Sequence, residues 1–167
     1  MDYTRTYAEI LVGLINQKNP GRNFTTDQLD FQAPVVLDEQ TPKAVSISVS
    51  AVAGSGYTGE RELLLRRLDI TDAVPADTVI DYIDQQTIQD VVAAINDQFE
   101  LNLVEDEDYD GGSLADIDDP YEGITVTIPI RSQSFLVTGT ITVKLARSTL
   151  DLDDAIEEPD LGELSYP

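Results

Sequence analysis

The sequence predicts an α+β protein of two tandem, mutually packed repeats, each a helix followed by an antiparallel β-hairpin, with an acidic extended tail at the C-terminus. Three observations predict it. The run Val91-Val92-Ala93-Ala94-Ile95-Asn96 echoes Leu11-Val12-Gly13-Leu14-Ile15-Asn16 at a spacing of 80. The same spacing returns downstream, where residues 104–110 fall on 24–30, Thr138-Gly139 on Thr58-Gly59, and Val143, Leu145 and Arg147 on Leu63, Leu65 and Arg67. Anchors in one order at one offset argue for an internal duplication. Each helical pattern is also followed by two runs of period-two alternation. The partition is repeat 1 over residues 1–70, a packed junction over 71–86, repeat 2 over 87–150 and the acidic tail over 151–167.

Taken in order, Tyr7, Ile10, Leu11, Leu14 and Ile15 follow the spacing of a helix with one buried face. Thr6 and Glu9 make a capping box and Asn19-Pro20-Gly21 a stop, so the first helix should run over about 6–18. Residues 24–37 read as an irregular or short-strand connection. Val45, Ile47, Val49 and Ala51 then alternate with Ser46, Ser48 and Ser50, the pattern of a half-buried strand. Gly54-Ser55-Gly56 supplies a turn, and residues 60–68 return as the second strand of a hairpin. The junction contains one proline and several aspartates, with Val79, Ile80, Tyr82 and Ile83 apolar enough to make it pack.

Repeat 2 opens with Thr87 and Asp90, a second capping box at a spacing of 81, and Ile88, Val91, Val92, Ile95 and Phe99 line one helical face. Ile124, Val126, Ile128 and Ile130 alternate with polar residues and Pro129, and Ile141, Val143 and Leu145 alternate in the return strand. Matching Val45, Ile47 and Val49 to Ile124, Val126 and Ile128 requires a spacing of 79, so the second turn should carry one extra residue. Pro129 lacks an N–H for the ladder and belongs at an edge or bulge.

Composition bounds the chemistry. Ten basic against 32 acidic residues give a formal charge of −22 over 167 residues, which repels nucleic acid and anionic lipid alike. Neither nucleic acid nor membrane is expected as a partner. Residues 105–122 carry nine acids and no base, and residues 151–163 carry seven and none. Cysteine and histidine are both absent, which removes thiolate chemistry and the commonest general base. No signal peptide and no membrane span are expected, since no apolar run approaches about 18 residues.

The sharpest local motif is Asp106-Glu107-Asp108-Tyr109-Asp110-Gly111, which fits the opening of a calcium loop, where alternate carboxylates converge hard oxygen ligands on one cation. Asp106, Asp108 and Asp110 are its candidate ligands. Position twelve, which should close the shell, is Ile117, with Asp116 one residue early. A solvated acidic loop is the plainer reading, and Ca²⁺ the sole cofactor to weigh. With 32 acids, some pair always lies at a hydrolase-like distance, so acid pairs say nothing of catalysis. Arg61, Arg66 and Arg67 form the basic cluster, and alternation on a strand would place Arg61 and Arg67 on one face and Arg66 on the other. The acidic tail, with Leu161, Leu164 and Tyr166 to dock on a neighbour, would be a counter-charge for it, in this chain or the next copy, while surface salt bridging within the chain is the plainer reading. These six are the candidate partner contacts.

A helix ending in Ile15-Asn16 or Ile95-Asn96, an acidic segment at Thr26-Asp27-Gln28-Leu29-Asp30 or Glu105-Asp106-Glu107-Asp108, and a second strand beginning Tyr57-Thr58-Gly59 or Val137-Thr138-Gly139 resemble the small α+β modules in virion structural proteins of large tailed bacteriophages. The resemblance covers residues 6–150. It implies a non-enzymatic part of a capsid, neck, tail or baseplate, located in the virion, homo- or hetero-oligomeric with other virion proteins. The alternative, from another class, is a calcium-dependent binding module of a secreted or surface protein.

Overall fold

The computed structural model of the chain describes residues 2–40 and 42–148. The protein is α+β. Helix α1 spans Tyr7–Lys18 and begins on the expected box, with the Glu9 N–H donating to the Thr6 hydroxyl and the Thr6 N–H to the Glu9 carboxylate. The connection that follows makes two short strands, β1 (Leu29–Phe31) and β2 (Val35–Val36), both antiparallel to β3 (Ala44–Ala51). On its other side β3 pairs with β4 (Glu60–Arg66). Val45, Ile47 and Val49 of β3 are buried with Leu11 and Val12 of α1 and with Phe31, forming one hydrophobic cluster.

The chain then crosses to the second half through β5 (Leu68–Asp69), the single-turn helix α2 (Ile70–Ala73) and β6 (Val79–Asp81). Helix α3 (Ile88–Phe99) starts on a box between Thr87 and Asp90 and ends at Glu100 in the left-handed region, φ 53°. Strands β7 (Ile124–Pro129), β8 (Val137–Thr138) and β9 (Thr140–Ala146) complete the chain. The second sheet has the order β6-β9-β7, and β5 pairs with β8. β7 and β9 are antiparallel, as the hairpin pattern predicts; the short pairings β6–β9 and β5–β8 are parallel additions that the hairpin patterns do not record. Parallel neighbours need a crossover, which residues 70–136 supply between β5 and β8 and residues 82–139 between β6 and β9. Pro129 lies at the end of β7, an outer strand of its sheet, where no ladder N–H is needed.

The two halves repeat each other bond for bond at several places. Asn16 Nδ2 donates to the Phe24 carbonyl and Asn16 Oδ1 accepts the Phe24 N–H, both at 2.9 Å; Asn96 does the same with Leu103 at 3.0 and 2.9 Å. Each asparagine pins the returning chain to its helix. Val45, Ile47 and Val49 face Leu65, Leu63 and Arg61, while Ile124, Val126 and Ile128 face Leu145, Val143 and Ile141. These pairings coincide when the first strand is shifted by 79 and the second by 80. The Ala51 N–H donates to the Gly59 carbonyl at 3.1 Å and the Ile130 N–H to the Gly139 carbonyl at 3.0 Å. Gly59 and Gly139 have φ of 97° and 105°, values that favour glycine. Leu29 pairs with Ala51, and Tyr109 with Ile130.

Between the halves, the Tyr7 ring stacks on Phe135 at 4.2 Å, and Leu136 touches both hydrophobic clusters. Arg67 closes the junction from within.

Candidate interaction surface

Strand β4 and its counterpart β9 have opposite surroundings. β9 is bonded on both sides, to β7 and to β6. β4 is bonded to β3 alone, and its outer edge has no strand partner among the described residues. The same contrast holds at the paired glycines. A side chain on Gly139 would meet Asp69 Oδ1 at 3.0 Å and Ile70 at 3.4 Å, whereas one on Gly59 would meet nothing within 4 Å. Val137 and Thr138, covered by β5, are 4% and 8% exposed. Their counterparts Tyr57 and Thr58 are both exposed, Tyr57 at 38%.

The open place is a groove of about 680 Å³ whose walls include Ile15, Phe24, Leu29, Tyr57, Gly59 and Leu63. Phe24 and Tyr57 form its aromatic end, their rings 4.9 Å apart and tilted by 47°. Beside it, Leu64 is 79% exposed and points away from the core, on the face that also carries the exposed Val35 and Leu37. An unpaired edge next to exposed apolar side chains is a template for another chain, and soluble proteins usually blunt it with charge. Here the blunting is partial, with Arg61 and Arg66 exposed on the same strand and Glu60 and Glu62 between and before them.

The three arginines of the basic cluster separate. Arg61 and Arg66 are on the surface. Arg67 is a correction: it follows directly on the end of β4 and is 3% exposed, so it is not a surface contact. Its guanidinium donates to the carbonyls of Pro42, Ser132 and Ser134, with both serine bonds at 2.9 Å. Burial pushes its pKa down, yet an arginine keeps its charge. Three carbonyls from two distant loops therefore replace the water around one cation, and they tie residues 132–134 of the second half to the first.

The acidic loop is built around its own arginine. Asp108 accepts the Val104 N–H at 2.9 Å and the Ser134 hydroxyl at 2.5 Å, making one turn that matches the bond from the Thr25 N–H to Gln28 at 3.1 Å. Burial raises the Asp108 pKa, and these two hydrogen bonds oppose the shift. Asp106 Oδ1 and Asp110 Oδ1 lie 3.9 and 3.6 Å from the guanidinium of Arg131, which also donates to the Asp106 carbonyl. Asp116 is exposed further along the loop. Among the described residues no group of three or more acidic side chains is arranged to hold a metal ion. Arg131 supplies the positive charge where the motif suggests a cation, and Ser134 and Arg131 were not legible as partners from local sequence. Leu161, Leu164 and Tyr166 lie outside the described residues.

Among the described residues no helix is long and apolar enough to cross a membrane. No curated protein and no solved structure matches the chain. A family model matches residues 1–167, and the chain belongs to that family, DUF7941, a family of unknown function.

Proposed function

We propose that the chain is a non-enzymatic structural protein of a tailed-phage virion, a component of tail, neck, baseplate or capsid, that assembles with copies of itself or with other virion proteins. In this reading it is a tandem duplication of one helix-plus-hairpin unit, and the asparagine clamps, glycine bends and matched registers support that reading. The virion assignment rests on the resemblance of the Ile-Asn and Thr-Gly segments. The observation that carries assembly is the open edge of β4 beside its groove, since the equivalent edge in the second half is covered by chain. A surface that one half buries and the other leaves free is suited to a partner.

Sedimentation of the purified full chain at low and high salt, over a range of concentrations, tests it. A defined multimer is the expected result. A monomer throughout would remove self-assembly and leave only association with other virion proteins.

A further inference from the structure

The segment that covers the second half has a copy in the tail. Leu68-Asp69-Ile70-Thr71-Asp72-Ala73-Val74 recurs 82 positions later as Leu150-Asp151-Leu152-Asp153-Asp154-Ala155-Ile156, identical at the leucine, both matching aspartates and the alanine, with apolar for apolar at 70/152 and 74/156. In the first occurrence the docking is visible. Leu68 and Asp69 add a parallel strand against Val137 and Thr138, the Leu68 N–H bonds the Leu136 carbonyl at 2.8 Å, and the Asp69 side chain caps α2 through the Thr71 N–H. Ile70 and Val74 are then fully buried beside Gly139 and β9. Each half is thus followed by a segment of this pattern, and the surface of the first half that corresponds to the docking site, Tyr57-Thr58-Gly59 and β4, is open.

We propose that residues 150–156 of one chain dock in the groove of the first half of a second copy, as a strand along Tyr57 and Thr58 with Leu152 and Ile156 filling the space beside Gly59. This deepens, and rests on, the assembly reading above. A second copy is favoured over the chain's own tail by the symmetry of the junction. The first half offers Tyr7, Arg67 and residues 68–74; the second half receives them with residues 132–138 and β9. Different surfaces meet, so the contact is heterologous, and repeating it carries the donor of one molecule to the acceptor of the next. The counterparts of the receiving surface, Val52, Ala53, Gly54 and Thr58, are exposed on the first half. Main-chain pairing gives such an added strand its affinity, and the alternate side chains give it specificity.

The register makes the test specific. Asp69 pairs with Thr138, so Asp151 should face Thr58, and the chain has no native cysteine to interfere. Thr58→Cys and Asp151→Cys chains, each full length, are mixed and oxidised with glutathione disulfide. A reducible mixed dimer is expected, at least tenfold more abundant than with Thr127→Cys, an exposed position on β7. The double variant in one chain should give a ladder. Equal yields from both positions, or no mixed dimer, would overturn docking. A disulfide closed within one chain would overturn the second copy as occupant. If the unmodified chain sediments as a multimer but the register link fails, assembly stands and this inference falls; if it is a monomer at every concentration, self-assembly falls together with this inference, and only association with other virion proteins is left to the reading above.

Discussion

The two halves of this molecule share a hydrogen-bonding plan and differ in how completely it is covered. Among the described residues, fifteen buried side chains form the cluster around α3, against six around α1. The strand patterns account for only part of this: Arg61 stands where the second half has the buried Ile141, but Leu63 and Leu65 are as apolar as Val143 and Leu145. What differs is the chain that crosses from the first half and lies on the second: Ile70, Val74 and Ile80 add their own burial and complete that of Val137 and Leu145. The first half is the less completely covered, as a small module with a partly exposed sheet should be.

The largest expected effect tests whether the crossing segment supports the second half. Ile70→Ala removes a fully buried side chain and should destabilise by about 2–5 kcal/mol in urea unfolding. A loss below about 1 kcal/mol would mean that the segment is dispensable there and would break the contrast. Arg67→Ala should come next, at about 3 kcal/mol, because hydrogen bonds from a charged donor contribute about 1.5–3 kcal/mol and three carbonyls lose their partner. Calorimetry should show the two halves unfolding less cooperatively in this variant.

Asn16→Ala and Asn96→Ala compare the halves directly. Each removes two bonds to backbone, about 1–2 kcal/mol, and similar losses would show that the shared clamp matters equally in the covered and the open half. Asp108 contributes with the opposite sign to Asp69, Asp81 and Asp90. Its folded pKa is raised, so the folded state binds the proton more tightly, and its contribution is greatest at acid pH and is lost as pH rises through that pKa. Asp69, Asp81 and Asp90 are shifted down, mainly by hydrogen bonds from Thr71, Ser148 and Thr87, and stabilise above the unfolded carboxylate pKa. Asp108→Asn should therefore gain stability relative to the wild type as pH rises from 4 toward neutrality; an unchanged difference across that range would contradict the burial of its charge.

The smallest effects concern the surface. Leu64→Lys gives the first sheet the residue that its counterpart, Lys144, already places on the second, and stability should move by no more than about 0.5 kcal/mol while self-association weakens. Millimolar Ca²⁺ should raise the melting temperature no more than Mg²⁺ does, because Asp106 and Asp110 face Arg131 and Asp108 is engaged by Ser134. A Ca²⁺-specific rise reversed by EDTA would restore the calcium module as the better reading.

Local sequence by itself determined the two capped helices, the hairpin strands, their buried faces and the one-residue difference between the two turns. Each depends on periodicity or on residues three or four apart, as with Thr6 and Glu9 or with Val45, Ile47 and Val49. Only the tertiary structure decided where Arg67 goes, what Asp108 and Arg131 bond, and that residues 68–81 add parallel strands to a distant sheet. Those outcomes join groups about 25 to 69 positions apart, and no local pattern records which carbonyl or strand edge will be within reach. The arginine run reads as one cluster, yet the end of β4 sends its last member inward because three carbonyls and the second half of the molecule wait there.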